Sequence, residues 1–161
     1  MVEVVLADLA CERDQRALIE VLDSYACDEM GGSEPLSPFT KAHLAHALHK
    51  RPDAYVVLAF VEGQAAGVVN CFEGFSTFAC QPLLNIHDVA VKPEYRGQGI
   101  ARLMLKRVEA LAVELGCCKM TLEVLEGNYP ARALYQSLGF DSYTLDPQMG
   151  NAVFWQKALA T

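Results

Sequence analysis

The chain has 161 residues, of which 52% are hydrophobic and 20% charged, and its formal net charge is −7 at pH 7. This length suffices for one domain with a buried core, and the composition excludes a disordered chain. The negative charge argues against general binding to nucleic acid or to anionic membranes; it suits a cationic substrate, or it serves solubility alone.

Two further features of the composition bear on location and on metal chemistry. The N-terminus lacks a basic segment followed by a long apolar run, and no apolar run is long enough to span a bilayer, so we expect a cytoplasmic protein without a membrane partner. The six cysteines show no C-x-x-C spacing. We therefore expect reduced thiols and no metal site.

Apolar periodicity predicts the elements of the first half of the chain. These are an edge strand at 2–7, a helix near 11–28, a helix at 38–50, and two antiparallel strands at 54–62 and 65–74. Ser37 and Pro38 are a typical cap and first-turn pair for the second helix. Glu62-Gly63-Gln64 is a short hairpin signal between the two strands.

The second half predicts alternating strands and helices. The elements are a strand at 83–91, a helix from about 99 to 115, a strand at 119–125, a short helix at 130–138, and final strands at 140–145 and 151–158. The run at 83–91 is almost wholly apolar, as in a central strand covered on both faces. The whole pattern predicts one α/β domain over 1–161, with roughly seven strands and four helices around a βαβ unit.

The turn Arg96-Gly97-Gln98-Gly99-Ile100-Ala101 joins the buried strand to the long helix. A helix start leaves backbone N–H groups unpaired and carries a partial positive charge, so phosphate oxygens are favoured there. Gly97 and Gly99 let a phosphate approach the backbone, and Arg96 adds a fork of donors. Taken alone, the turn fits an ordinary strand–turn–helix connection equally well.

Two motifs resemble those of the GNAT superfamily of acyl-CoA N-acyltransferases. Residues 96–101 match its R/Q-x-x-G-x-G/A signature, and Asn128–Phe140 resembles its N-x-x-A-x-x-L-Y-x-x-x-G-F segment. The resemblance implies a mixed sheet of six to seven strands with splayed central parallel strands. It also implies direct, ternary-complex transfer of an acetyl group from acetyl-CoA to a primary amine of a small molecule or peptide.

The resemblance further implies how acetyl-CoA is held. Backbone amides of the turn bind the diphosphate, and the backbone of the preceding strand pairs with the pantetheine arm. The implied cofactor-binding residues are Val89, Val91, Arg96, Gly97, Gln98, Gly99, Ala101, Arg102, Asn128, Arg132 and Tyr135. Tyr135 matches a tyrosine whose hydroxyl lies near the thioester sulfur. It is a candidate proton donor, or else a core tyrosine.

His87 and Asp88 interrupt the apolar strand, and alternation predicts that they point to opposite faces. Histidine titrates near neutral pH, so His87 is either a general base or a buried structural histidine. Asp88 either binds a cationic substrate or bonds a neighbouring loop. Asn85 shares the His87 face and is a further substrate-binding candidate.

Asp28 and Glu29 lie beside a glycine break, where they attract an ammonium group or are simply acidic surface. The helical spacing of His43, His46 and His49 is too loose for a metal triad. A noncatalytic acyl-CoA-binding regulatory module remains the alternative function. The sequence leaves open whether the chain forms a homodimer.

Overall fold

The structure is a computed structural model and describes residues 1–160. Its elements are β1 (Val2–Leu6), α1 (Glu12–Ala26), α2 (Pro38–His49), β2 (Ala54–Val61), β3 (Gln64–Ser76), β4 (Gln81–Val91), α3 (Ile100–Glu114), β5 (Met120–Leu122) and α4 (Tyr129–Ser137). Short 3-10 turns lie at Glu29–Gly31 and Pro93–Tyr95. The chain divides into two compact units, Met1–Glu123 and a second that begins at Val124.

The first unit contains a five-stranded sheet in the order β1-β2-β3-β4-β5. Neighbouring strands from β1 to β4 are antiparallel, and β4 pairs with β5 in parallel. The mixed α/β class, the edge position of β1 and the βαβ unit are therefore confirmed. The hairpin between β2 and β3 is confirmed as well, with positive φ at Glu62 (48°) and Gly63 (79°), as its tight two-residue turn requires.

Helices cover both faces of this sheet. On one face, Leu18 and Val21 of α1 and Leu48 of α2 form a buried cluster with residues of β2, β3 and β4. On the other face, α3 packs Met104 so closely against Gly67 that an added Cβ would lie 2.7 Å from the methionine methyl group. The sheet is thus a rigid platform, and the ends of its strands position the loops described below.

Local capping explains where the helices begin and end. The Ser37 hydroxyl accepts a hydrogen bond from the Thr40 amide at 3.1 Å, which confirms the predicted start of α2. Gly116, with φ of 71°, follows the end of α3 as predicted. Within residues 1–160, no helix has the length and apolar character needed to cross a membrane.

The predicted final strands, 140–145 and 151–158, are wrong: the structure has no strand after β5 in the part of the chain it describes. A turn held by the bond from Met149 N to Asp146 O joins the two segments, and Ala152 N donates to Tyr143 O at 3.0 Å. A strand requires a continuing ladder with a neighbour, which sequence periodicity alone does not supply. The sheet therefore has fewer strands than the six to seven expected.

Trp155 provides a direct test of this arrangement. It is the single tryptophan of the chain and is 84% exposed. We expect its fluorescence to resemble that of indole in water and to be quenched freely by iodide. A blue-shifted, quencher-resistant emission would instead show that residues 151–158 are covered.

Candidate active site

The turn between β4 and α3 is open to solvent. Gly97 and Gly99 have φ of 74° and 77°, and a Cβ added at either would meet nothing within 4 Å. Gly99 is the N-cap of α3, and the helix start has no side-chain cap. The first amide groups of α3 therefore have no cap partner, at the positive end of a 15-residue helix. This arrangement fits a phosphate or diphosphate group.

The side chain of Arg96 is engaged beside this turn. Its Nε donates to the Val91 carbonyl at 3.0 Å, and its Nη2 donates to Asp28 Oδ2 at 2.8 Å. The hydrogen bond from Arg96 is the main cause that lowers the pKa of Asp28, and a bond from the Met30 amide adds to it. Asp28, a predicted substrate residue, is thus already paired, and Arg96 joins the loop after α1 to the end of β4.

The edge of β4 that faces β5 has no strand partner over its second half, where Arg96 occupies the Val91 carbonyl. Lys92 N donates to Ala66 O at 2.9 Å, so these two residues form a hydrogen-bonded pair. By alternation, Val91 and Val89 sit in non-hydrogen-bonded pairs with β3, and their backbone groups point toward β5. The ladder with β5 ends at Ile86. Val89 therefore presents an N–H and a C=O without a strand partner, the arrangement that pairing with an extended ligand needs.

An extra residue in β4 brings His87 and Asp88 to the same face, so the predicted opposite orientation is wrong. The ladder with β3 pairs Asn70 with Asp88 and Cys71 with Ile86, which leaves His87 unpaired. Asn70 Nδ2 donates to Asp88 Oδ2 at 2.9 Å. The Phe72 ring meets the His87 ring edge-on, with centroids 5.5 Å apart. Asn70 and Phe72 share one face of β3, so the bulge interrupts the alternation on β4.

These residues form a polar cluster, defined here as Asn70, His87 and Asp88, on the sheet face that α1 and α2 cover. Asn70 is 3% exposed, and its Oδ1 has no hydrogen-bond partner within residues 1–160. Tyr25 of α1 lies nearby. Burial, with the charges of Asp88 and Asp28, raises the pKa of its phenol. Sequence reasoning missed Asn70, although a lone amide within the apolar run of β3 is a usable signal.

The other two predicted substrate residues, Asn85 and Glu29, are not part of the polar cluster. Asn85 Nδ2 donates to Thr121 Oγ1 at 2.9 Å, so its amide holds β4 to β5. Glu29 is exposed at the start of the first 3-10 turn. Asn85 pairs with Phe72 in the ladder with β3 and so shares the His87 face, as predicted, although its amide is bonded to Thr121; Asp28 and Glu29 lie after α1.

Three predicted residues belong to the second unit. The Asn128 side chain accepts a hydrogen bond from the Ala131 amide at 3.3 Å and caps α4. Arg132 Nη1 donates to the Glu126 carbonyl at 2.9 Å. Tyr135 is buried, and its ring meets Phe140 at 6.0 Å between centroids. Asn128 and Arg132 thus stabilise the entry to α4.

Two observations concern the potential metal ligands and the buried thiol of the described residues. Residues 1–160 contain no group of three or more His, Cys, Asp or Glu side chains placed to hold a metal ion. Burial, with a smaller effect from the Asp88 charge, raises the pKa of the Cys71 thiol to about 12. Since the thiolate is the reactive form, Cys71, which faces the opposite side of the sheet from the cluster, is unsuited to carrying an acyl group.

The five-stranded mixed sheet, with helices on both faces and an uncapped helix start beside the free edge of β4, defines an α/β protein. Residues 18–140 match the model of the acetyltransferase (GNAT) family, and the chain belongs to this family.

Relatives of known name share parts of this chain. It is 30% identical over 111 residues to a Bacillus subtilis (strain 168) protein provisionally named a ribosomal protein bS18-alanine N-acetyltransferase. The match covers 69% of this chain and 70% of that protein. It is 44% identical over 59 residues to the thialysine N-epsilon-acetyltransferase of Bos taurus. That match covers 37% of this chain and only 35% of the bovine protein.

Solved structures share the fold at low sequence identity. An aminoglycoside acetyltransferase from an uncultured soil metagenomic sample superposes with a TM-score of 0.81 at 17% identity, over 99% of this chain and 97% of that one. A transcriptional regulator from Bacillus halodurans C-125 has a TM-score of 0.80 at 18% identity, over 99% and 100% of the two chains. These likenesses confirm the fold class and establish the fold alone.

Proposed function

We propose that this protein transfers an acetyl group from acetyl-CoA to a primary amine of a small molecule or peptide, directly within a ternary complex. The observation that carries the proposal is the uncapped start of α3 beside the edge of β4 that has no strand partner. Gly97 and Gly99 leave the backbone of that helix start accessible. Family membership supports the same reaction class.

On the donor side, the backbone amides of residues 97–102 would hold the diphosphate, and Val89 would pair with the pantetheine arm. The open space at both glycines fits this role, because a phosphate must reach the backbone itself. Bound acetyl-CoA would supply the activated acetyl thioester. We assign Tyr135 the role of donating its hydroxyl proton to the departing sulfur, in keeping with its motif position.

On the acceptor side, an alkylammonium group must be attracted and then lose a proton before its nitrogen can attack. Asp88 supplies negative charge beside His87, and both share one face of the sheet. We assign His87 the role of base, acting on the amine directly or through one water. The raised pKa of the buried Cys71 thiol argues against this residue as an acyl carrier.

The pH dependence of turnover tests the role of His87. A protonated imidazole cannot accept a proton, so kcat/KM of the native protein should fall toward acidic pH. We expect His87→Gln to lower the plateau rate by about 100-fold and to remove this acidic limb. His46→Gln, on the exposed side of α2, is the matched control. An acidic limb that persists unchanged in His87→Gln would remove His87 from the mechanism.

A screen of amines tests the function itself. The acceptors are thialysine, a peptide with N-terminal alanine, streptothricin and sisomicin, chosen from the names of relatives and fold neighbours. Each is mixed with acetyl-CoA, free thiol is followed, and the acetylated product is identified by mass. Release of thiol with one acceptor class supports the proposal. If the protein binds acetyl-CoA tightly but releases no thiol from it with any of the amines, the noncatalytic regulatory module is favoured.

A further inference from the structure

We propose that Asn70 and Asp88 together bind the nitrogen of the acceptor amine, with the side-chain oxygen of Asn70 accepting one of its N–H groups. This inference rests on the proposed function and adds to it a residue, Asn70, that neither sequence motif contains. It assigns Asn70 to recognition of a primary ammonium group.

The hydrogen-bond network fixes which way the Asn70 amide points. An ionised carboxylate only accepts hydrogen bonds, so the amide atom that faces Asp88 Oδ2 at 2.9 Å must be the NH2 group. The other amide atom, Oδ1, is then the one without a partner. Because both atoms share one carbon, this oxygen lies beside the Asp88 carboxylate.

A buried carbonyl oxygen without a donor is unfavourable, and native proteins rarely retain one without a use. Asn70 is 3% exposed on a central strand, where an apolar residue would pack without this penalty. The missing partner must supply N–H or O–H. The protein groups described in residues 1–160 supply none.

The surroundings favour a cationic donor. Asp28, the other nearby carboxylate, is already neutralised by Arg96 at 2.8 Å, so Asp88 is the carboxylate of this region without a cationic partner among the salt bridges of the described residues. An ammonium group carries three N–H donors and a positive charge, which match one amide oxygen and one carboxylate. His87 lies on the same sheet face, so a nitrogen held here would be deprotonated locally.

The first test measures binding on the native protein, without acetyl-CoA. The side-chain NH2 cross-peak of Asn70 is followed by 1H–15N NMR during titration with n-butylammonium, and separately with n-butyltrimethylammonium. The second ion has the same charge but no N–H donor. We expect the cross-peak to shift with n-butylammonium only. Equal shifts with both ions, or no shift with either, would overturn the proposal, the latter leaving water as the donor to Asn70.

The second test is kinetic and uses n-butylamine as the acceptor. We expect Asn70→Leu to raise the KM for the amine by at least about tenfold and to leave the Kd for acetyl-CoA within about twofold. Cys71→Ala is the control, since Cys71 is the next residue of β3, is equally buried and faces the opposite side. It should leave both constants unchanged.

The two tests separate this inference from the proposed function. A selective NMR shift without any thiol release from acetyl-CoA would contradict the acetyltransferase function while supporting the ammonium site. Active transfer with an unchanged amine KM in folded Asn70→Leu would overturn the ammonium site alone. If Asn70→Leu does not fold, the NMR titration of the native protein still tests the ammonium site.

Discussion

Gly99→Asp should abolish useful binding of acetyl-CoA, with a loss of affinity of at least about 100-fold, or roughly 2.7 kcal/mol. Gly99 is the N-cap of α3, and a side chain added there enters the open space in front of the first helical amides. A carboxylate in that space repels the diphosphate and competes with it for the same N–H groups. Isothermal titration calorimetry with acetyl-CoA measures the effect.

The same helix offers a control for backbone strain. Gly116 at the other end of α3 has φ of 71°, close to the 77° of Gly99, and also has nothing within 4 Å of an added Cβ. Gly99→Ala and Gly116→Ala should therefore lose similar stability, about 1 kcal/mol each. Only Gly99→Ala should weaken acetyl-CoA binding. Equal affinity in Gly99→Asp and the native protein would exclude this turn as the diphosphate site.

The second large effect is expected at Tyr135. Tyr135→Phe removes one oxygen and keeps the ring that meets Phe140, so the fold and the Kd for acetyl-CoA should be retained. If the hydroxyl protonates the departing sulfur, kcat should fall by about 100-fold or more. Steady-state kinetics with the best acceptor of the amine screen measure this change.

Tyr129→Phe is the matched control for this variant. Tyr129 lies on the same helix, α4, and is 72% exposed. The same loss of a hydroxyl there should leave kcat unaltered. If Tyr135→Phe and Tyr129→Phe turn over equally fast, Tyr135 has no part in the proton transfer.

The parts of the structure that were predictable depend on local chemistry. Ser37 caps α2, Gly116 follows the end of α3, and Gly97 and Gly99 leave the backbone at the start of α3 open. Each of these outcomes follows from a few consecutive residues, because caps and turns are formed by hydrogen bonds within one or two turns of the chain. The candidate donor turn could be located from sequence for the same reason.

The parts that were missed depend on pairing between distant residues. Asn70 and Asp88 are 18 residues apart, and Arg96 and Asp28 are 68 apart. No local pattern in β4 predicts that His87 is unpaired, because a bulge depends on how the strand pairs with its neighbour. The segments after α4 have strand-like periodicity, but without a ladder partner they are not strands.

The unpaired His87 has a consequence for the whole of β4. Ala90 is buried on one face of the sheet, whereas Ile86 and Leu84, which are also at even positions, are buried on the other face. The one extra residue therefore changes which face the even-numbered side chains of β4 occupy. As a result, one strand supplies apolar side chains to the layers on both faces of the sheet. A homologous chain without that extra residue could pair regularly with β3 and keep the present polar and apolar positions over 81–86, whereas a chain that keeps the residue but loses the bulge would have to exchange those positions to keep both layers filled.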